Sequence, residues 1–193
     1  MIEYIKGSVA YLEPTIAVIE AHGVGYELNI SLIDYTGLQG KSEAKLYVHE
    51  SIREDAHVLF GFLTREARVM FRLLIGVSGV GPNTARLILS SLTVADLQAA
   101  IASENDSMLK AVKGIGGKTA QRIIVDLKDK IKATELPLNT NMTTDSHAYE
   151  ETLAALVTLG FTQQASQKVL KKIFSDNPAI SLEQAIKQAL KQL

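Results

Sequence analysis

The segment SGVGPNTARLILSSL, Ser78 to Leu92, returns 35 residues later as KGIGGKTAQRIIVDL, Lys113 to Leu127, with six of fifteen positions identical. A duplication this regular requires the same local structure twice. Each copy reads as a helix, a tight glycine, apolar, glycine turn, and a second helix. Gly79 and Gly81, and likewise Gly114 and Gly116, permit backbone angles and close approaches that a side chain would prevent, while Val80 and Ile115 can anchor each turn in a core. The free N–H groups and positive dipole end of the following helix make such a turn a place for a phosphate oxygen. Thr84 and Thr119 add hydroxyl donors, and Lys118 and Arg122 add charge. All of these contacts would go to phosphate and none to a base, so the pair is expected to hold a nucleic-acid backbone by shape. A lone glycine turn between helices is usually just a corner. The repeat, the hydroxyl and basic residues at the second helix start and a locally basic segment together point to DNA.

Two similar patterns fail on inspection. Gly116-Gly117-Lys118-Thr119 resembles the end of a nucleotide-binding P-loop, but that loop needs glycine where Val112 stands and a strand where a helix is expected. Neither hairpin completes G-x-G-x-x-G, because Thr84 and Thr119 occupy the last position, so a dinucleotide fold fails too. No cofactor is expected.

The net charge of -1 argues against a phosphate binder until it is divided along the chain. Residues 1–63 carry 4 basic and 9 acidic side chains, residues 64–133 carry 11 and 6, and residues 134–193 carry 5 and 6. The middle third therefore stands at +5 between flanks of -5 and -1. One region can attract a polyanion while its neighbours are held off it.

The expected fold is α+β and multidomain: an OB-type β-barrel over residues 1–63, an all-α domain with two helix-hairpin-helix motifs over 64–133, a flexible linker over 134–147, and a three-helix domain over 148–193. Short segments rich in isoleucine, valine and tyrosine, at 1–12, 15–21, 26–31, 44–49 and 58–62, predict five or six strands, with a turn at His22-Gly23-Val24-Gly25. So many short strands in about 60 residues close economically as a small barrel. Thr64 caps the first of the following helices, which are predicted at 64–75, 82–92, 94–103, 107–112 and 117–132. The Thr, Asn and Pro content of 134–147 reads as a tether with a typical span of ~20 Å. Beyond it, helices are predicted at 148–159, 163–174 and 182–192, with Leu156, Leu159, Phe161 and Leu170 in their core. So small a tethered unit suits an adaptor for a partner better than a catalytic domain.

The chain has no cysteine, and its histidines, His22, His49, His57 and His147, lie in unlike segments, which removes disulfides, thiolate catalysis and thiolate metal sites. No signal-peptide order opens the sequence and no apolar run approaches the ~20 residues of a membrane span. A cytoplasmic protein with no membrane contact is expected.

The barrel with its Arg53-Glu54-Asp55 tip, REDA followed by LFGF, the hairpins VSGVGPNTA and KGIGGKTAQRIIVDLKDK, the linker and the terminal helices resemble, over the whole chain, the RuvA family of Holliday junction branch migration subunits. The resemblance implies a non-catalytic subunit acting in recombination, DNA repair and the SOS response. It implies a homotetramer, or an octamer on DNA, that holds a four-way junction open and recruits the hexameric ATPase RuvB through its C-terminal domain, with the RuvC resolvase as a further partner. It places an acidic pin on Glu54 and Asp55 and phosphate grips on Gly79, Gly81, Gly114, Gly116, Lys118 and Thr119. Some relatives carry lysine where this chain has Asn83 and Gly117, which leaves Arg86 and Arg122 to make up the charge.

Read from the residues alone, Glu54 and Asp55 are a solvated turn by default. Four such tips brought together by symmetry would repel the phosphates of crossing strands, whereas two carboxylates without a third ligand make a poor magnesium site. Two other functions use the same features. A glycosylase or nuclease could dock through the hairpins and use Asp126, although a surface carboxylate paired with Lys130 at i+4 is the plainer reading. A general single-strand binder could use the barrel, but that domain has few basic residues.

Overall fold

The computed structural model describes residues 1–133, 144–177 and 180–193. Strands β1 Tyr4–Glu13, β2 Ile16–Ala21, β3 Val24–Asn29, β4 Glu43–Ile52 and β5 His57–Phe62 close into a barrel in the order β1-β2-β3-β5-β4. β1 serves two neighbours, pairing with β4 from Tyr4 to Ser8 and with β2 from Ser8 to Glu13, and a register shift between Val9 and Tyr11 marks the irregularity that lets it turn from one to the other. A single parallel pairing, Asn29 with Phe60, joins β3 to β5 and closes the ring. Ile5, Ala17, Ile19, Leu28, Leu46 and Val48 fill the interior.

The expected turn at His22 to Gly25 is shorter than its glycines suggest. Only His22 and Gly23 form the loop, with φ of 51° and 79°, and Val24 and Gly25 already belong to β3. Positive φ at both positions is the type I′ hairpin, whose twist matches that of the strands it joins.

Between β3 and β4 lies a helix that the sequence reading does not contain, α1 Leu32–Leu38. Ser31 caps it: its hydroxyl accepts from the Asp34 amide at 3.1 Å and donates to the Asp34 carboxylate at 2.6 Å. The other Asp34 oxygen accepts from the Leu63 amide at 2.9 Å, tying α1 to the chain as it leaves β5. Burial pushes this carboxyl above its usual range, against the three hydrogen bonds that favour its charge. Leu38 packs with the barrel core.

Helices α2 Arg65–Ile75, α3 Pro82–Ser91, α4 Val94–Ala102, α5 Asp106–Lys110 and α6 Gly117–Ala133 follow. Thr64 caps α2 as the sequence predicts, accepting from the Ala67 amide. The core of this part is continuous with the barrel wall, since Phe60 and Phe62 of β5 pack with Phe71 at ring separations of 5.0 and 4.9 Å. Arg68, 3% exposed, fastens α2 to the barrel by donating to the Glu3 carbonyl and carboxylate, both at 2.8 Å. Residues Met1–Leu136 form one compact unit, in which the barrel and the helices that follow it each have their own core cluster.

The second unit, Pro137–Leu193, contains α7 Thr144–Thr158, α8 Gln163–Asp176 and α9 Leu182–Ala189. α7 begins four residues before the predicted start, inside the expected linker, and the remainder of that linker, 134–143, lies outside the described residues. Leu156 and Leu170 are buried with Ile173, Ile180, Ala185 and Ala189, and Phe161 packs against them. Leu159, expected in this core, is instead 60% exposed, because α7 ends at Thr158 and Leu159 sits in the turn before Gly160, which has a φ of 102°. No single described helix is long and apolar enough to cross a membrane; α3 and α4 together reach the length, but they bend by 98°.

Candidate nucleic-acid interface

The repeat in the sequence is a repeat in the backbone. In the first hairpin the Val80 amide donates to the Val77 carbonyl at 3.0 Å and the Ala85 amide to the Gly81 carbonyl at 2.9 Å. In the second, Ile115 donates to Val112 at 3.1 Å and Ala120 to Gly116 at 2.9 Å. Gly79 and Gly114 share a φ of 90°. Val80 and Ile115, the apolar residues between the glycines, are buried and pin both turns to the core.

The four glycines divide into two kinds. Gly79 and Gly114 need positive φ, which explains them from within the fold. Gly81 has a φ of -84°, open to any residue, and a Cβ added at Gly81 or Gly116 would meet nothing within 4 Å. Neither backbone strain nor packing accounts for glycine there.

Helix capping points the same way. α1, α2, α4, α5, α8 and α9 each start at a side chain that accepts from the first turn, Ser31, Thr64, Thr93, Asn105, Thr162 and Ser181. The hairpin helices α3 and α6 start after Gly81 and Gly116, which have no side chain to offer, and neither has an acidic residue in its first turn. Their first turns therefore take no cap from a side chain at the helix start. Pro82 removes one donor from the first hairpin; Gly117, Lys118 and Thr119 retain theirs in the second. Thr84 and Thr119 are half-buried third residues of their helices, and Lys118 is exposed.

Two arginines assigned to charge compensation are already engaged. Arg122 of α6 reaches to the start of the first hairpin, donating to the Ser78 hydroxyl at 3.2 Å and the Ser78 carbonyl at 3.4 Å. It is exposed and braces one hairpin against the other. Arg86 turns away from the hairpin and donates to the Asn29 side-chain oxygen at 3.0 Å and the Thr15 carbonyl at 3.2 Å. Ser78, Thr15 and Asn29 have no signal in the sequence, because only the tertiary fold brings them to these guanidinium groups.

Glu54 and Asp55 form the exposed tip between β4 and β5, over a turn closed by the Arg53 amide donating to the Ala56 carbonyl at 2.8 Å. Among the described residues no group of three or more His, Asp or Glu side chains could hold a metal ion. Asp126 is half-buried on α6.

Comparison with known proteins covers almost the whole chain. Residues 1–61 match the RuvA N terminal domain, residues 71–129 a SAM-like helix-hairpin-helix tandem, and residues 147–193 the RuvA C-terminal domain. Proteins described as Holliday junction branch migration complex subunit RuvA are similar over their full length. Those of Bacteroides fragilis and Parabacteroides distasonis are 51% and 52% identical, and that of Christiangramia forsetii 42%, with all of this chain and all of each relative covered.

Proposed function

The chain belongs to the RuvA family, non-catalytic DNA-binding subunits of the Holliday junction branch migration complex, and on that premise we propose that its paired hairpins grip the phosphates of a four-way junction while its C-terminal unit recruits the motor. The observation that carries the reading is the duplicated helix start: two glycines that neither backbone strain nor packing requires, each opening a helix at a residue with no side chain to cap it. Gly79, Gly81, Thr84, Gly114, Gly116, Lys118 and Thr119 line the grips. Arg122 holds them in register, and its exposed guanidinium stands beside them. As a homotetramer, or as an octamer enclosing the DNA, the protein presents these grips with four-fold symmetry and gathers the Glu54 and Asp55 tips where strands cross. RuvB supplies ATP hydrolysis and docks on residues 148–193, RuvC follows on the same junction, and the assembly works in the cytoplasm in recombination and repair.

The test compares affinity for four-way junction, matched duplex and single strand, with the strands examined afterwards. Preference for the junction with every strand intact is expected. Cut strands would favour an enzyme using Asp126, and preference for single strands would favour a barrel-based binder. In the same assay a chain ending at Pro137 keeps junction binding and loses motor-driven migration.

A further inference from the structure

Arg86 is the side chain this function leaves over. It lies on α3, just past the first grip, yet its guanidinium is half-buried against the barrel and meets two neutral oxygens, Asn29 Oδ1 at 3.0 Å and the Thr15 carbonyl at 3.2 Å. It makes no ion pair with a carboxylate among the described residues, and burial depresses its pKa with no anion to restore it. Half-burying a cation against neutral oxygens, with no paired anion, costs free energy that only its hydrogen bonds offset. One helical turn on, Ser90 repeats the attachment: its hydroxyl donates to the Arg86 carbonyl at 2.8 Å and accepts from the Leu32 amide at 3.1 Å. α3, whose N-terminus carries the first grip, is thus fastened once to the barrel through Arg86 and once to the start of α1 through Ser90.

Its barrel partner is well chosen for transmitting position. Asn29 ends β3 and is the residue paired with Phe60 where β3 and β5 close the ring. β5 runs directly from the turn that holds Glu54 and Asp55. The repeat supplies an internal comparison. Thirty-five residues on, the position of Arg86 holds Gln121, which is exposed, and the second hairpin is tied to the first through Arg122 and Ser78. A chain of contacts therefore runs from barrel to Arg86, to the first hairpin, to Ser78 and Arg122, and to the second hairpin.

We propose that Arg86 is a positioning residue, a strut between Asn29 and α3 that fixes the phosphate grips relative to the acidic tip and so sets discrimination between junction and duplex. The inference rests on the junction-binding reading. Duplex needs only the grips, whereas a junction must satisfy grips and tip together. A strut and a phosphate contact leave different marks: loss of a phosphate contact lowers the salt slope by about 0.9 and weakens all DNA alike, and loss of a strut does neither.

The experiment titrates full-length parent, Arg86→Met, Arg86→Lys and Asn29→Ala with fluorescent junction and duplex over a salt series, alongside thermal unfolding. Arg86→Met is expected to lose about tenfold in junction affinity, the scale of one charged hydrogen bond given up, with duplex affinity and salt slope unchanged. Lysine, which can still donate to either oxygen, should restore part of the junction preference. Asn29→Ala, which removes the acceptor from the barrel side, should reproduce the loss without touching any cation, and it decides the matter if Arg86→Met fails to fold. Equal loss on junction and duplex with a shallower salt slope would overturn the strut, as would unchanged junction preference in both Arg86→Met and Asn29→Ala. Failure of the parent itself to prefer junction would refute the functional reading instead.

Discussion

Single residues decide how the barrel meets the helices, and Glu3 shows how that can be measured. The Arg68 hydrogen bonds, with added attraction from Arg68 and Arg65, lower its pKa from the usual 4.5 to about 2. A carboxyl depressed in the folded state contributes stability above its unfolded pKa and loses it as pH falls toward the folded one. Glu3→Gln should therefore melt below the parent at neutral pH, with the difference closing between about 4.5 and about 2. A difference in Tm independent of pH would show that the pair contributes nothing through charge. The same scale is where the sequence was least legible. Arg86 is plainly basic in the sequence, but its partner Asn29 is 57 residues away, so a guanidinium expected to face phosphate is found against a strand end. Asp34 likewise meets Leu63 only after folding. Long-range polar contacts leave no periodicity behind.

At the scale of elements the sequence spoke clearly wherever its pattern repeated. The helix starts at Pro82 and Gly117 fall where the duplicated turns put them, and Thr64 caps α2 as expected. α1 was missed because seven residues containing Thr, Gly and Tyr carry too little helix propensity to register. Its available signal was Ser31 followed three residues later by Asp34, a capping arrangement. The two kinds of hairpin glycine predict two kinds of mutant. Gly79→Ala forces a side chain to φ of 90° and should cost about 1 kcal/mol or more of stability. Gly81→Ala enters open space at ordinary φ and should change stability little while weakening DNA binding, because its methyl occupies the path of an approaching phosphate. Differential unfolding and junction titration of both variants separate these effects, and a Gly81→Ala protein with full affinity would remove the grip from that hairpin. The acidic tip behaves oppositely if it repels. Glu54→Gln with Asp55→Asn should bind junction at least as tightly as the parent, with the difference shrinking in salt as exposed charges are screened over ~10 Å. Weaker binding restored by magnesium would mean a metal site instead.

For the whole molecule, the proposed function rests on charge distribution rather than total charge. The chain is nearly neutral, yet its basic excess lies in the segment that supplies the hairpins, and its acidic excess in the segment that supplies the tip. The described residues divide into a barrel-and-hairpin unit and a three-helix unit, each with its own core. If the first unit works by phosphate contact alone, its affinity must follow counterion release, falling linearly on logarithmic axes by about 0.9 for each phosphate neutralised. The decisive measurement is equilibrium binding of the full chain to two four-way junctions of unrelated sequence over about 50 to 200 mM salt. A loss of more than about a hundredfold across that range, the same for both sequences, is expected for four or more phosphate contacts. A flat salt response, or a strong preference for one sequence, would contradict the double-hairpin phosphate grip.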